Sequence, residues 1–295
     1  MIRLPQWLDR ILIVTSLLLI LVIGVPYIQF AVEGFKRYPI PESHIVIPAG
    51  EEVLSRGAHL VQTLGCSGCH GEDLEGKRFI ENFFVRITAP NLTRLAQRAD
   101  ADELERAIRH GVKSDGTSLF GMPSSSYYYL SDADVGSIIA YLYSVDPAKG
   151  ETTRIHMNPL TPLILAGVKD LSSPLVAGRM DHSADRYGLD DATDSAAIGK
   201  YLALTHCSEC HGEDFRGVQY GRFSTPDLAA VADYPLPEFA RMLESGTGLG
   251  DGQLLPLMAN ASKTGFRYFS KSEVEALYAF LSALTRSAVQ GAAML

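Results

Sequence analysis

The chain has 295 residues, a net charge of -8 and a pI of about 5.5. That length accommodates two domains of ordinary size once a membrane segment is set aside. The acidic balance, with no block of lysine or arginine in the polar part, argues against nucleic acid or an anionic membrane surface as a partner.

The first element in chain order is apolar. ILIVTSLLLILVIGV (11–25) carries no charge, and PYIQFAV extends the run to Val32 before Glu33 interrupts it. A spanning helix needs about twenty such residues, so residues 1–33 are predicted to form a transmembrane anchor. Arg3 and Arg10 at its start orient the N-terminus to the cytoplasm and the rest of the chain outward. A cleaved signal peptide shares the basic start and apolar middle, but no small-x-small cleavage pattern follows the run. The expected location is the inner (cytoplasmic) membrane, crossed once, with the polar chain in the periplasm. Residues 34–49 read as a linker.

A helix over VLSRGAHLVQTLG leads into CSGCHGEDLEG (66–76). Cysteines separated by two residues can form a redox disulfide or half a zinc site, and can attach a haem when histidine follows directly. In the haem reading Cys66 and Cys69 form thioethers to the porphyrin and His70 ligates the iron. A pooled zinc site would leave the adjacent histidine unexplained, and a thioredoxin-like pair needs a strand-and-helix pattern that is missing. In TAPNL (88–92), Pro90 lacks an N–H and has a fixed φ. Its carbonyl is suited to accept from the second nitrogen of His70, which fixes the tautomer of a ligating imidazole.

Another helix is predicted over ADELERAIRHG (101–111). Met122 is the only methionine between Cys66 and the inter-domain segment, and Gly121 and Pro123 hold it on an irregular loop. A thioether is a soft sixth ligand that raises the potential of a haem iron, although methionine more commonly fills a core. LSDADVGSIIAYLYSV (130–145) closes the domain as a helix, with Ser131 and Asp134 at N-cap and N3 spacing. Ile138, Ile139 and Leu142 recur at helical intervals on its core face. No convincing strand pattern is present, and the domain spans 50–146. Residues 147–193 form a linker, or a strap across one domain. Their apolar patch PLILAGV (162–168) is too short to span a membrane, and an acidic stretch follows it.

The pattern then returns over 194–287, leaving 288–295 as a tail. AAIGKYLALTH leads into CSECHGEDFRG (207–217), followed by STPDL (224–228), a helix over 235–246, DGQLLPLM (251–258) and FSKSEVEALYAFLSAL (269–284). Matches in the same order identify an internal duplication. Cys207, Cys210 and His211 are assigned to a second haem, Pro226 to the second imidazole, and Met258 to the second sixth position. The shared register lifts Met122 and Met258 above the packing role kept for Met242. His110 is expected at the surface or facing a propionate, and His206 pointing away from the iron. His44, His59, His156 and His182 are expected to be solvated or locally hydrogen-bonded.

Together CSGCH, CSECH, the PNL and PDL triplets, the loop methionines and the closing helices with AYL and AFL resemble the class I c-type cytochromes, arranged as a tandem dihaem chain. The resemblance covers 50–146 and 194–287. It implies an all-α fold, an N-terminal transmembrane helix plus two cytochrome c-like helical domains, with helices crossing at Gly57 against Tyr141 and Gly199 against Phe280. GEDLEG, APNLT and GMPSSSYYYLSDADV resemble cytochrome subunits of membrane-bound periplasmic dehydrogenases for alcohols, aldehydes or sugar acids. Those subunits commonly carry three haems, whereas two motifs stand here.

The implied function is electron transfer by two haem c groups with His/Met ligation, from a redox donor such as a periplasmic dehydrogenase to an acceptor cytochrome or oxidase. A dihaem peroxidase or a thiosulfate-oxidising cytochrome is the enzymatic alternative, and it needs a releasable sixth ligand. A subunit that anchors a larger complex is the third reading. His206 and Glu209, in place of Gly65 and Gly68, predict unequal potentials.

Overall fold

The computed structural model describes residues 5–40, 45–150, 154–158, 160–162, 175–180, 182, 194–220, 223–248 and 252–284. Helix α1 (Gln6–Phe35) is 30 residues long, about 45 Å at 1.5 Å per residue. It is the one described helix long and apolar enough to cross a membrane, with a mean hydropathy of 2.7 and no burial against the rest of the protein. Arg3 lies outside the described residues. The segment that follows, expected as a linker, is docked instead. Arg37 bridges Thr117, and the Tyr38 amide donates to the Gly116 carbonyl at 2.9 Å. Ile45 and Ile47 pack against the first core, because burying two aliphatic side chains outweighs the freedom of a short tether.

The first domain comprises α2 (Glu51–Thr63), α3 (Cys66–His70), a hairpin of β1 (Arg78–Glu81) and β2 (Val85–Thr88), α4 (Leu92–Ala96), α5 (Ala101–Glu105), α6 (Ser124–Tyr127) and α7 (Asp132–Ser144). The second comprises α8 (Ser195–His206), α9 (Ser208–His211), the short pair β4 (Gln219–Tyr220) and β5 (Phe223–Ser224), α10 (Leu236–Ser245), α11 (Pro256–Thr264) and α12 (Lys271–Ser282). A 3₁₀ turn at Leu228–Asp233 stands where α4 stands in the first domain. In both domains the helix before the cysteines packs along the closing helix, α2 on α7 and α8 on α12.

Glycine permits those crossings. A Cβ on Gly57 would meet the Ser137 carbonyl and stand 2.7 Å from the Tyr141 Cβ. A Cβ on Gly199 would meet the Ala276 carbonyl and stand 2.7 Å from the Phe280 Cβ. The closing helices are capped by serine, Ser131 accepting from the Asp134 amide and Ser270 from the Glu273 amide. Only the second becomes a full capping box. The Asp134 carboxylate leaves its own helix terminus for Arg56 and Tyr201.

The strands correct the expectation that none would form. β1 and β2 are too short to show alternation, and their third partner comes from the inter-domain segment. β3 (Arg154–Met157) pairs antiparallel with β2 in the register Val85↔Met157 to Thr88↔Arg154. Further along, Leu175 bridges Phe120, and the Ala177 amide donates to Ser118 Oγ at 3.0 Å. The described parts of this segment therefore lie as a strap on the first domain. The apolar patch beyond Pro162 and nearly all of the acidic stretch lie outside the described residues.

The helix predicted over 101–111 changes character midway, from α5 to one π turn at Arg106–His110. That turn carries Arg109, only 1% exposed, toward Glu105 at 3.1 Å, Asp132 at 2.7 Å and the Leu130 carbonyl at 2.6 Å. A buried cation of this kind persists only when paired and hydrogen-bonded.

The domains share cores and charges. Tyr201 of α8 is buried in the first core with Leu60, Leu130 and Ile138, while Tyr128 and Tyr129 are buried in the second with Leu204, Phe239 and Leu277. Around this exchange Arg56 grips Asp134 through two bonds of 2.9 Å, and the Tyr201 hydroxyl donates to the same carboxylate at 2.6 Å. His59 Nε2 lies 2.8 Å from Glu273. His59, expected to be solvated or locally hydrogen-bonded, instead reaches across to the other domain.

Gly57→Ala is expected to cost about 1–3 kcal/mol of stability, the usual cost of overpacking, read as a lowered thermal midpoint. Burial would raise the Glu273 carboxyl, but hydrogen bonds from His59 and from Ser270 outweigh it and hold the pKa at about 2, below the ordinary 4.5. The stabilisation is therefore present above pH 4.5 and lost as pH falls toward 2. Glu273→Gln should cost about 1 kcal/mol at pH 7, a deficit that shrinks below pH 4.5 and disappears near pH 2 in denaturant titrations.

Candidate functional site

The two cysteine turns are built alike. After each histidine the chain reverses through a glycine at positive φ, Gly71 (90°) and Gly212 (79°), and is closed by a bond back to the histidine carbonyl. Those bonds run from the Gly76 amide to His70 at 2.7 Å and from the Gly217 amide to His211 at 2.9 Å. Within each loop a bulky residue takes the left-handed conformation, Leu74 (φ 56°) and Phe215 (φ 60°). That backbone costs about 1 kcal/mol or more for a residue with a Cβ. Burial of both side chains, 3% and 4% exposed, offsets it. Their carbonyls then accept from the Leu92 and Leu228 amides, at 2.8 and 2.9 Å, which ties each loop to the proline segment. Sequence reasoning missed this pair, because neither residue type signals positive φ.

His70 Nδ1 donates to the Pro90 carbonyl at 2.8 Å, and His211 Nδ1 donates to the Pro226 carbonyl at 2.9 Å. A carbonyl can only accept, so Nδ1 carries the proton in both rings and Nε2 keeps its lone pair. Burial lowers the pKa of both imidazoles more strongly than these bonds raise it. Both are therefore neutral at pH 7, as a metal-ligating imidazole must be.

Asn91 and Asp227 hold the accepting carbonyls in place. Asn91 Oδ1 caps α4 by accepting from the Arg94 amide at 3.0 Å and from Thr93 Oγ1 at 2.7 Å, while its Nδ2 donates to the Ala148 carbonyl. Asp227 Oδ1 accepts from the Ala229 amide at 2.8 Å.

All four thiols are free. Burial, and then the neighbouring cysteine, push the Cys66 and Cys207 thiols up to about 12. Burial also raises Cys69 and Cys210. Among the described residues no group of three or more histidine, cysteine or acidic side chains could hold a metal ion. Met122, on the irregular loop expected for it, packs with Cys66 on the first core, whereas Met258, also expected on a loop, stands in the first turn of α11, where Pro256 opens a helix, and packs on the second core with Cys207. Paired thiols, a neutral imidazole with a free Nε2 and a methionine in the same apolar cluster fit a covalently attached haem.

The other histidines divide. His110 was expected at the surface or facing a propionate; it is buried, which excludes the first of these placements. Its Nδ1 lies 3.1 Å from His182 Nδ1, and its ring meets Tyr128 edge-on, because the π turn rotates it inward beneath the strap. His182 Nε2 donates to the Ala177 carbonyl at 3.0 Å. His206 packs its ring against Phe269 at 4.9 Å, and burial lowers its pKa to about 4. His156 is exposed, and His44 lies outside the described residues.

Residues 52–142 match the family model described as cytochrome C oxidase, cbb3-type, subunit III, and residues 196–285 match the model described as cytochrome c. The chain is a tandem cytochrome c. Haem c is the cofactor its domains imply.

This tandem cytochrome is 24% identical over 268 residues to the fructose dehydrogenase cytochrome subunit of Gluconobacter japonicus, covering 81% of this chain and 54% of that one. It is 26% identical over 266 residues to the cytochrome c subunit of alcohol dehydrogenase (quinone) of Gluconacetobacter polyoxogenes, covering 82% and 51%. With the gluconate 2-dehydrogenase cytochrome c subunit of Pantoea cypripedii it shares 26% identity over 178 residues, covering 55% and 38%. The chain spans about half the length, or less, of these curated relatives.

Asn91→Ala in this cytochrome is expected to cost about 1 kcal/mol through the lost cap. It should also speed exchange of the His70 Nδ1 proton in NMR spectra, with the His211 proton unaffected.

Proposed function

We propose that this cytochrome is a membrane-anchored dihaem electron-transfer subunit with His/Met ligation at both irons. The carrying observation is that in each domain a neutral, tautomer-fixed imidazole follows a pair of free cysteines, the first of which packs on the same core as a methionine. A bound haem c supplies a one-electron Fe(III)/Fe(II) couple whose potential depends on its ligands and burial. Cys66 and Cys69 would tether one haem and Cys207 and Cys210 the other, with His70 and His211 as proximal ligands and Met122 and Met258 as distal ones.

The residues do the rest by position. Pro90 and Pro226 hold the imidazole planes, and Leu74 and Phe215 close the apolar loop behind them. The helix crossings at Gly57 and Gly199 set the floor of each domain. The domains read as an internal duplication, 50–146 and 194–287, with α1 as the anchor in the inner membrane and the haem domains in the periplasm.

A periplasmic dehydrogenase is the proposed donor and a cytochrome or terminal oxidase the acceptor. This choice is supported by relatives whose names are those of dehydrogenase cytochrome subunits. Two six-coordinate irons leave no open position for substrate, so the protein acts as a carrier rather than an enzyme.

The test is the ferric spectrum of the full chain, where sulfur bound to iron gives a weak far-red band. Met122→Ala and Met258→Ala should each remove about half of it, and a band unchanged by either substitution overturns the ligand assignment. Replacing Cys66 and Cys69 together with serine should halve the covalently bound haem.

A further inference from the structure

Each methionine-bearing segment runs into a contact with the other domain's cysteine turn. Met122 is followed by Pro123 and α6, and α6 lies on the second motif. Ser125 Oγ donates to the Glu209 carboxylate, Ser126 Oγ and Ser208 Oγ are 2.8 Å apart, and the Tyr129 hydroxyl donates to Glu213. Ser208 and Glu209 are the two residues between Cys207 and Cys210. In the other direction, Met258 stands on α11, whose last residue, Thr264, covers the first motif. A Cβ on Gly68 would stand 2.8 Å from Thr264 Cγ2, and one on the next residue, Gly265, would stand 2.6 Å from the Thr63 carbonyl. These contacts explain the one inequality inside the motifs. Glycine stands at 68 because Thr264 occupies the space above it, and glutamate stands at 209 because Ser125 is there to be reached.

We infer that the two methionine-bearing segments are cross-braced, so that Met122 is held in register by the second cysteine turn and Met258 by the first. The inference rests on the methionine ligation proposed above. Ser125, Ser126, Ser208 and Glu209 are then positioning residues for the Met122 site, and Thr264 is one for the Met258 site. Ligation at one site depends on the integrity of the other, and by linkage the dependence is reciprocal.

Imidazole, which displaces an axial methionine from ferric haem, is the probe. It is titrated into the full-length protein, with Met122→Ala and Met258→Ala used to assign the far-red signal of each site. Glu209→Gly should raise imidazole affinity at the Met122 site roughly fivefold, the effect of one lost hydrogen bond, and leave the Met258 site unchanged. Glu209→Gln keeps an acceptor for Ser125 and should restore the original affinity.

Ser126→Ala, which leaves both motifs intact, should reproduce the shift if Glu209→Gly impairs haem attachment. Gly68→Ala should shift the Met258 site instead. The cross-brace is overturned if Ser126→Ala and Glu209→Gly leave the Met122 site unmoved, or if Glu209→Gly acts only on the haem of its own motif. A far-red band of full height in Met122→Ala would overturn the ligation reading itself, and the cross-brace with it.

Discussion

One hydrogen bond, made twice, organises each domain: an imidazole Nδ1–H to a proline carbonyl. His70 to Pro90 and His211 to Pro226 join the cysteine turn to a segment 20 and 15 residues further along the chain. Proline supplies an acceptor whose φ is fixed and whose own N–H makes no competing demand. The buried ring must then stay neutral, and its free nitrogen faces away from the carbonyl. The left-handed Leu74 and Phe215, the caps at Asn91 and Asp227 and the glycines that close the loop all serve to bring that carbonyl within reach.

The domains are not beads on a string. Tyr201 completes the first core, and Tyr128 and Tyr129 complete the second. Arg56, Asp134 and Glu273 surround the exchange with partly buried charge, and His59 hydrogen-bonds to Glu273. Such charges add little net stability when compared with apolar replacements, but leaving one unpaired is expensive. Their contribution is to fix one relative orientation, in which the second cysteine turn meets α6 and the first meets the end of α11.

Much of this was legible in the sequence. The cysteine turns and the serine-capped closing helices are local or periodic features, the glycine crossings were implied by the family resemblance, and the repeated pattern read from the sequence paired the residues of one half with those of the other. The parts that were not legible depend on contacts between distant segments. β1 and β2 carry too few residues to alternate, and β3 joins them from about seventy residues away. The burial of Arg109 and His110 follows from a single π turn that composition does not announce. Asp134 has the spacing of a capping residue, yet the pull of Arg56 and Tyr201 exceeds that of its own helix terminus. His59 reads as an ordinary helix histidine until the second domain brings Glu273 to it.

The contacts made just after α1 bear on the anchor proposed for this protein. A free tether of a dozen residues would let the first domain swing over a hemisphere of roughly 20 Å radius. Here Arg37 and Tyr38 pair with the 116–117 turn within three residues of the helix end. With α1 in a bilayer, the first domain keeps a fixed azimuth and height above the membrane, and the second inherits both through the shared cores. A donor or acceptor held in the same membrane then has only to diffuse in two dimensions and rotate about one axis, and most of the orientational search is over before encounter.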